Sequence, residues 1–416
     1  MSATRAQQSS RARSDEAELA ELLAGLAKLA AETAPEPVDA LEAEQWASSL
    51  IGMMQTSGLP GESIESVFVP PLIRAFEDLC SEEALAALRA IGAICAPENK
   101  ELIRGAGDRL AATGLAEPPW VERLGQTEPT AAALMCEEAF DDGVSVMVEF
   151  AEPNANAHTI GIYIDHNLGG IVKDVFLAGS LTDVRDQLQR QTAGEAGVTI
   201  RDLDLAEARA RVDAALYMLD HTYDPPITED VRSMRALMAT RMRLLPEGLD
   251  PPEDHVDVTP EERDALLEDF LSSPEGRTWH GDEDAEDVAG LAIEFGADYN
   301  HGGPLRWSPV VVELFMTSWL ARKVTREPEF FERVPDVLCD WVAYAGRRRG
   351  VGSAPLREAV GAVDTYRAEM RHSVNDPEAW GPAKAFAVAA LDAGVDLTDR
   401  DEVERFIGRY NDGLAA

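Results

Sequence analysis

The stretch His158–Ser180, HTIGIYIDHNLGGIVKDVFLAGS, decides the fold, because here the hydrophobic period drops from the helical value to two. Ile160, Ile162 and Ile164 alternate with Gly161, Tyr163 and Asp165, the pattern of a strand buried on one face. A second strand, IVKDVFLA, follows the turn Asn167-Leu168-Gly169-Gly170. Just upstream, Val144, Val146, Val148 and Phe150 of GVSVMVEFA alternate with Ser145, Met147 and Glu149. The three segments predict a small antiparallel β-meander, whose apolar face needs a cover. A helix predicted over Thr182 to Gln191 is placed to supply it.

The same stretch crowds Asp165, His166, Lys173 and Asp174 around a Gly-Gly turn. An imidazole oriented by a carboxylate can act as a general base, and a lysine beside it can hold an anion. A plainer reading is a hairpin in which His166 and Asn167 satisfy loop backbone groups while Gly169 and Gly170 take positive φ. No nucleophile accompanies the four, and Ile171 stands where a Glu-x-Lys nuclease pattern needs its acid. A hairpin is therefore the first expectation, with Asp165, His166, Lys173 and Asp174 kept as candidate catalytic residues.

Working outward, residues 1–14 read as a polar, disordered tail without an apolar leader segment, and 15–142 as a helical region. Leu19, Leu22, Leu23, Leu26 and Leu29 recur at three and four, forming one stripe that the core or a partner must cover. Helical periods continue through VFVPPLIRAFEDL, SEEALAALRAIGAICA, where Ser81 is placed to cap, and ENKELIRGAGDRLAATG, with Gly114 as a stop. TEPTAAALMCEEAFDDG is also expected to be helical. Residues 143–245 hold the meander and further helices, 246–260 form a linker rich in Pro and Asp, and 261–416 form a C-terminal helical domain. Within it, Ser308 and Pro309 open WSPVVVELFMTSWLARKV, apolar nearly all round and so expected at the centre of a core. Trp319 and Trp341 fall on apolar stripes, which favours packing over base stacking. The fold class expected is α+β, predominantly helical, with the three-stranded meander inserted between helical regions.

The 416 residues include 76 acidic and 37 basic side chains, a formal net charge of -39. Such a surface repels phosphate backbones and anionic headgroups, so nucleic acid is an unlikely partner, although an acidic surface that mimics DNA is a further possibility. No apolar run reaches membrane-spanning length, and a cytoplasmic location with no membrane contact is expected. The four cysteines are scattered without zinc-site spacing and read as core thiols of a reducing compartment. Phosphate-binding loops, dinucleotide fingerprints, the nucleophile-elbow pattern and the H-E-x-x-H pattern are all missing from the sequence.

Two further clusters attract notice. Asp-His pairs occur at Asp165-His166, Asp220-His221 and Asp254-His255, and His280 precedes three acidic residues. Helical neighbours point apart, so each pair offers at most one easy ligand, and neither metal nor cofactor is expected. Against the acidic background, Arg322 and Lys323 close one helix and Arg347, Arg348 and Arg349 another. Cations suit helix C-termini without any ligand, and the same five are candidates for binding an anion or a protein partner.

The segments GLAEPPWVERLG, IDHNLGGIVKD, PLRWSPVVVELFMTSWLARKV, RVPDVLCDWVAYA and WGPAKAF resemble an actinobacterial family of hypothetical proteins from about Gly114 onward. The resemblance implies a bacterial cytoplasmic protein in which these segments belong together, and it implies no activity. The sequence thus leads first to a non-enzymatic interaction or regulatory protein with a protein partner or as a homo-oligomer. The alternative is a hydrolase or transferase acting on a small anionic substrate at the Asp165/His166 hairpin.

Overall fold

A computed structural model describes residues 21–414 apart from 22, 23, 26, 34–38, 55–63, 138, 154, 155, 194–196, 248, 250–256, 397 and 398. The polar tail, most of the leucine stripe, much of the linker and the Asp254-His255 pair lie outside the described residues. Two compact units result, one holding most of the chain before Pro252, the other Glu137–Asp142, His166–Gly169 and Glu253–Ala416.

The first unit contains helices α1 (Ala40–Met54), α2 (Ile64–Leu79), α3 (Glu82–Ile94) and α4 (Pro97–Ala111). Strands β1 (Glu128–Glu137), β2 (Gly143–Ala151), β3 (His158–Asp165) and β4 (Ile171–Ala178) follow, then α5 (Leu181–Gln191), β5 (Val198–Asp202), α6 (Leu205–His221) and α7 (Glu229–Met242). Ser81 caps α3 by accepting the amide of Ala84 at 3.2 Å, as its position before two glutamates predicts.

The meander is present but is part of a larger sheet of five strands in the order β4-β3-β2-β1-β5. The segment expected to be helical around Thr130 to Cys136 is instead β1, antiparallel to β2 with Leu134 opposite Val146. Alanine favours helices, but the preference is a few tenths of a kcal/mol per residue, and pairing against an apolar strand overrides it.

A second correction concerns the cover. The α5 helix, opened by Ser180, packs Leu181 and Val184 on Ala133 and Met147, the face opposite the Ile and Val stripe. That stripe, including Val146, Val148, Phe150, Ile160 and Ile162, is also buried. Helices α6 and α7 pack on β4, and Arg241 of α7 lies 5.8 Å over the Phe150 ring. With both faces covered, β2 shows nearly continuous burial and only its sequence alternates.

Beneath α7 lies a buried polar cluster. Glu44 of α1 is ion-paired with Arg241, both almost wholly inaccessible, and the amide of Leu237 donates to Ser48 Oγ at 3.1 Å. A Cβ at Gly52 would overlap the carbonyl of Arg232, so α1 and α7 approach at backbone distance there. His158 opens β3 within this cluster, its ring 5.8 Å from that of Phe150 and its Nε2 without a hydrogen-bond partner among the described residues. Burial, reinforced by the Arg241 charge and only partly opposed by Asp39 and Glu149, pushes its pKa down to about 4.

His158 therefore stays neutral in the folded protein while an unfolded chain protonates it near pH 6.5. Its stabilising contribution is complete above that value and is lost as pH falls toward 4, by roughly 3 kcal/mol in all. Substituting His158→Phe is expected to flatten the decline in stability between pH 6.5 and 4. Denaturant titrations at several pH values test this, and parallel declines in both proteins would refute it.

The second unit is helical: α8 (Pro260–Ser272), α9 (Glu283–Asp298), α10 (Pro309–Glu313, Leu314–Trp319 and Leu320–Lys323), α11 (Pro328–Arg349), α12 (Ser353–Asn375), α13 (Pro382–Asp392) and α14 (Arg400–Leu414). Ser308 and Pro309 open α10 as expected, and Val311, Val312, Phe315, Met316 and Leu320 are buried in the core with Trp341 and Phe270. The middle of α10 is a π-helical turn, in which the amide of Leu320 donates to the carbonyl of Phe315 five residues back. No described helix is long and apolar enough to cross a membrane. None of the four cysteines forms a disulfide. Cys95 is buried, Cys136 and Cys339 are half-buried, and Cys80 is exposed, so it is not a core thiol.

Candidate metal centre

The three residues that converge in the C-terminal unit come from its three chain segments: Asp141, His166 and His301. The sequence makes Asp141 the end of a short connection after Phe140, a residue that belongs to the unit's apolar core. There Asp141 adopts φ +54, a left-handed conformation that Asp tolerates better than most residues and that is enriched at functional sites. His166 starts the 3-10 turn His166–Leu168, with its backbone amide donating to the carbonyl of Asp142 at 3.0 Å. Gly169 and Gly170, at φ +80 and +75, complete the turn as their positions predict. His301 stands at the head of a loop whose two glycines, Gly302 and Gly303, also have positive φ.

The geometry is that of a carboxylate facing two imidazoles. His166 Nδ1 is 3.0 Å from the backbone carbonyl oxygen of Asp141 and 3.4 Å from its Oδ1, while His301 Nε2 is 3.8 Å from Oδ2. The two rings stack at 4.0 Å. One ligand atom from each residue falls within 4.8 Å of the other two. Burial works to raise the Asp141 pKa, but hydrogen bonds and charge from His166 and His301 outweigh it, and the carboxyl is held far below the usual range. Asp141 is thus anionic at any physiological pH, as a metal ligand must be.

A buried network holds the three segments. Arg306, 1% exposed, donates to the Phe140 carbonyl oxygen at 2.7 Å, to Asp142 Oδ1 at 2.9 Å, and to the side-chain oxygens of Asn167 and Asn300. Asp142 Oδ1 also accepts from Asn167 Nδ2 at 3.0 Å and Ser308 Oγ at 2.7 Å. Asn300 in turn donates to the Arg306 carbonyl at 2.6 Å. At least one neighbour of each converging side chain is thereby tied in place: Phe140 and Asp142 beside Asp141, Asn167 beside His166 and Asn300 beside His301.

No protein-family model, curated protein or solved structure matches the chain.

The residues singled out in the sequence are sorted by these contacts. Lys173 Nζ donates to Asp165 Oδ2 at 2.6 Å, and Asp174 accepts from Thr228 Oγ1 at 2.9 Å, so these three form structural pairs in the first unit. His166 is not grouped with them; it faces Asp141 and His301. Of the arginine triplet, Arg347 pairs with Glu275 and Arg348 with Asp269. Arg349 places Nη1 3.7 Å from where a Cβ on Gly302 would sit. Although Arg349 as a whole is exposed, partial desolvation of its guanidinium lowers its pKa, opposed by the Asp141 charge. It is the member of the triplet beside the cluster. Arg322 and Lys323 line a separate cleft. Elsewhere, His221 Nδ1 lies 2.7 Å from its own helix at the Tyr217 carbonyl, and Asp220 pairs with Arg235.

Asp141 and His301 escape a sequence reading because neither sits in a recognisable spacing with His166. The available signals were the Gly-Gly pair that follows each histidine, His-Asn-Leu-Gly-Gly and His-Gly-Gly, and the adjacent acids of Phe-Asp-Asp-Gly.

Proposed function

We propose that the chain is a metal-dependent hydrolase of a small anionic substrate, with Asp141, His166 and His301 as ligands of one divalent transition-metal ion. The observation that carries this reading is the convergence of two imidazoles and one ionised carboxylate within 4.8 Å of one another. Two histidines and a carboxylate are a ligand set of catalytic zinc and of mononuclear non-haem iron, and three protein ligands leave positions open for water and substrate. Such an ion, when bound by Asp141, His166 and His301, would supply an activated water as nucleophile near neutral pH. Arg349 stands beside the cluster to receive the anionic group. The Arg306 network plays the part of the outer shell that fixes ligand orientation.

The test uses the full chain stripped with a chelator and titrated with Co2+, whose visible absorption reports low-coordinate nitrogen and oxygen ligation, and with Zn2+ by calorimetry. One ion per chain is expected, with binding lost in His166→Gln/His301→Gln, and ester or phosphate-ester hydrolysis returning only with metal. Equal binding by the wild type and the double variant would refute the centre.

A role in protein interaction is supported by a different observation, a cluster of exposed apolar side chains at the end of α6. Tyr217, Met218 and Tyr223 are 62%, 41% and 94% exposed. Tyrosine in such a setting is a frequent anchor of interfaces.

A further inference from the structure

The C-terminal unit carries a second feature outside the three converging side chains, although Asn167 of their supporting network also lines it. A half-open cleft of about 250 Å³ lies along α9 and α10, lined by Phe295, Tyr299, Trp319, Arg322 and Lys323 among others. Its walls are aromatic: Tyr299 stacks on Phe295 at 6.4 Å and meets Trp319 edge-on at 5.9 Å. Its cations are not consumed by carboxylates. Lys323 Nζ sits 5.5 Å over the Tyr299 ring, and neither Arg322 nor Lys323 has an acidic partner among the described residues, whereas the nearby Arg326 is paired with Asp287. Trp319 is buried and its indole N–H has no acceptor among the described residues. The π-helical turn Leu314–Trp319 forms part of this wall, and such turns recur at functional sites.

Two cations without acidic partners among the described residues line this aromatic-walled cleft, Lys323 over the Tyr299 ring and Arg322 at its edge, and in a chain of net charge -39 they favour negative charge joined to a flat apolar body. The volume admits one or two fused rings and little more. We propose that this cleft binds a small aromatic carboxylate, its ring against Tyr299 and Trp319 and its carboxylate held by Arg322 and Lys323. Arginine and lysine at a cleft mouth set the charge preference, and the rings supply the affinity.

The experiment is titration of 2-naphthoate into the full chain in excess EDTA at low salt, followed by tryptophan fluorescence and calorimetry. The expected result is saturable one-to-one binding that weakens by about tenfold or more in Arg322→Ala/Lys323→Ala. The neutral 2-naphthylmethanol is expected to bind at least about tenfold more weakly than the acid, because it lacks the charge. Both substituted residues are exposed, so circular dichroism should show an unchanged fold. Absence of saturable binding, equal binding of acid and alcohol, or full affinity in the double variant would each overturn the proposal. Chelator is present throughout and the titration is repeated in His166→Gln/His301→Gln. Failure here is therefore separate from failure of the metal centre.

Discussion

Replacing Glu44 by Ala is expected to destabilise the first unit by about 3–5 kcal/mol, because it leaves the Arg241 guanidinium buried without its partner. Arg241 is 1% exposed and its Nε already lacks an acceptor among the described residues. The pair itself is not a strong stabiliser. Burial raises the Glu44 pKa, and the attraction of Arg241 does not fully offset it, with Glu152 and Asp39 adding repulsion. The double variant Glu44→Leu/Arg241→Met should therefore be far less damaging than the sum of the two single changes. Urea denaturation of the four proteins of this cycle measures the coupling, and additive losses would show that the pair does not act as a unit.

The second large effect is expected at Arg306. Substituting Arg306→Met removes donors to four acceptors at once, the Phe140 carbonyl and the side-chain oxygens of Asp142, Asn167 and Asn300, and takes the cation away from Asp142, which keeps only its neutral donors Asn167 and Ser308, a loss of about 3–5 kcal/mol for the C-terminal unit. Metal affinity should fall by about 10–100-fold, since the segments carrying Asp141, His166 and His301 lose their common anchor. Hydrogen exchange should rise at residues 139–142 and 166–169. As a control, Arg326→Ala breaks a pair whose side chains are each about half exposed, and should change stability by less than about 1 kcal/mol. Equal stability of Arg306→Met and wild type would refute the account of the network.

The sequence was most legible where a single period dominated. The strands around Ile162 and Val146, the glycine turn at Gly169 and the caps at Ser81 and Ser308 all follow from local rules and are found where those rules put them. It was least legible where tertiary context chose between two acceptable states. The alanine-rich β1 is a strand only because β2 offers it a partner, and α5 covers the Met147 face because other helices claim the Ile and Val face. The site shows the same division. His166 stands out by its turn, but its partners are set by where the chain returns after long excursions, and no spacing encodes that. Asp165, the nearest carboxylate in sequence, is directed to Lys173 instead, in keeping with the alternation of side chains along a strand that ends at that residue.

The π turn in α10 has a consequence for how this helix can change. An α-helix advances about 100° per residue, and a turn with one extra residue resets the angular position of all that follows. Upstream of it, Val311 and Val312 are directed into the core; downstream, Leu320 and Ala321 are directed inward again while Arg322 and Lys323 face outward. The extra residue thus works as a gear tooth between two buried faces. Loss of one residue anywhere from Leu314 to Trp319 would leave the composition of the helix nearly intact and rotate its basic end by a quarter turn, carrying the cations away from the aromatic wall.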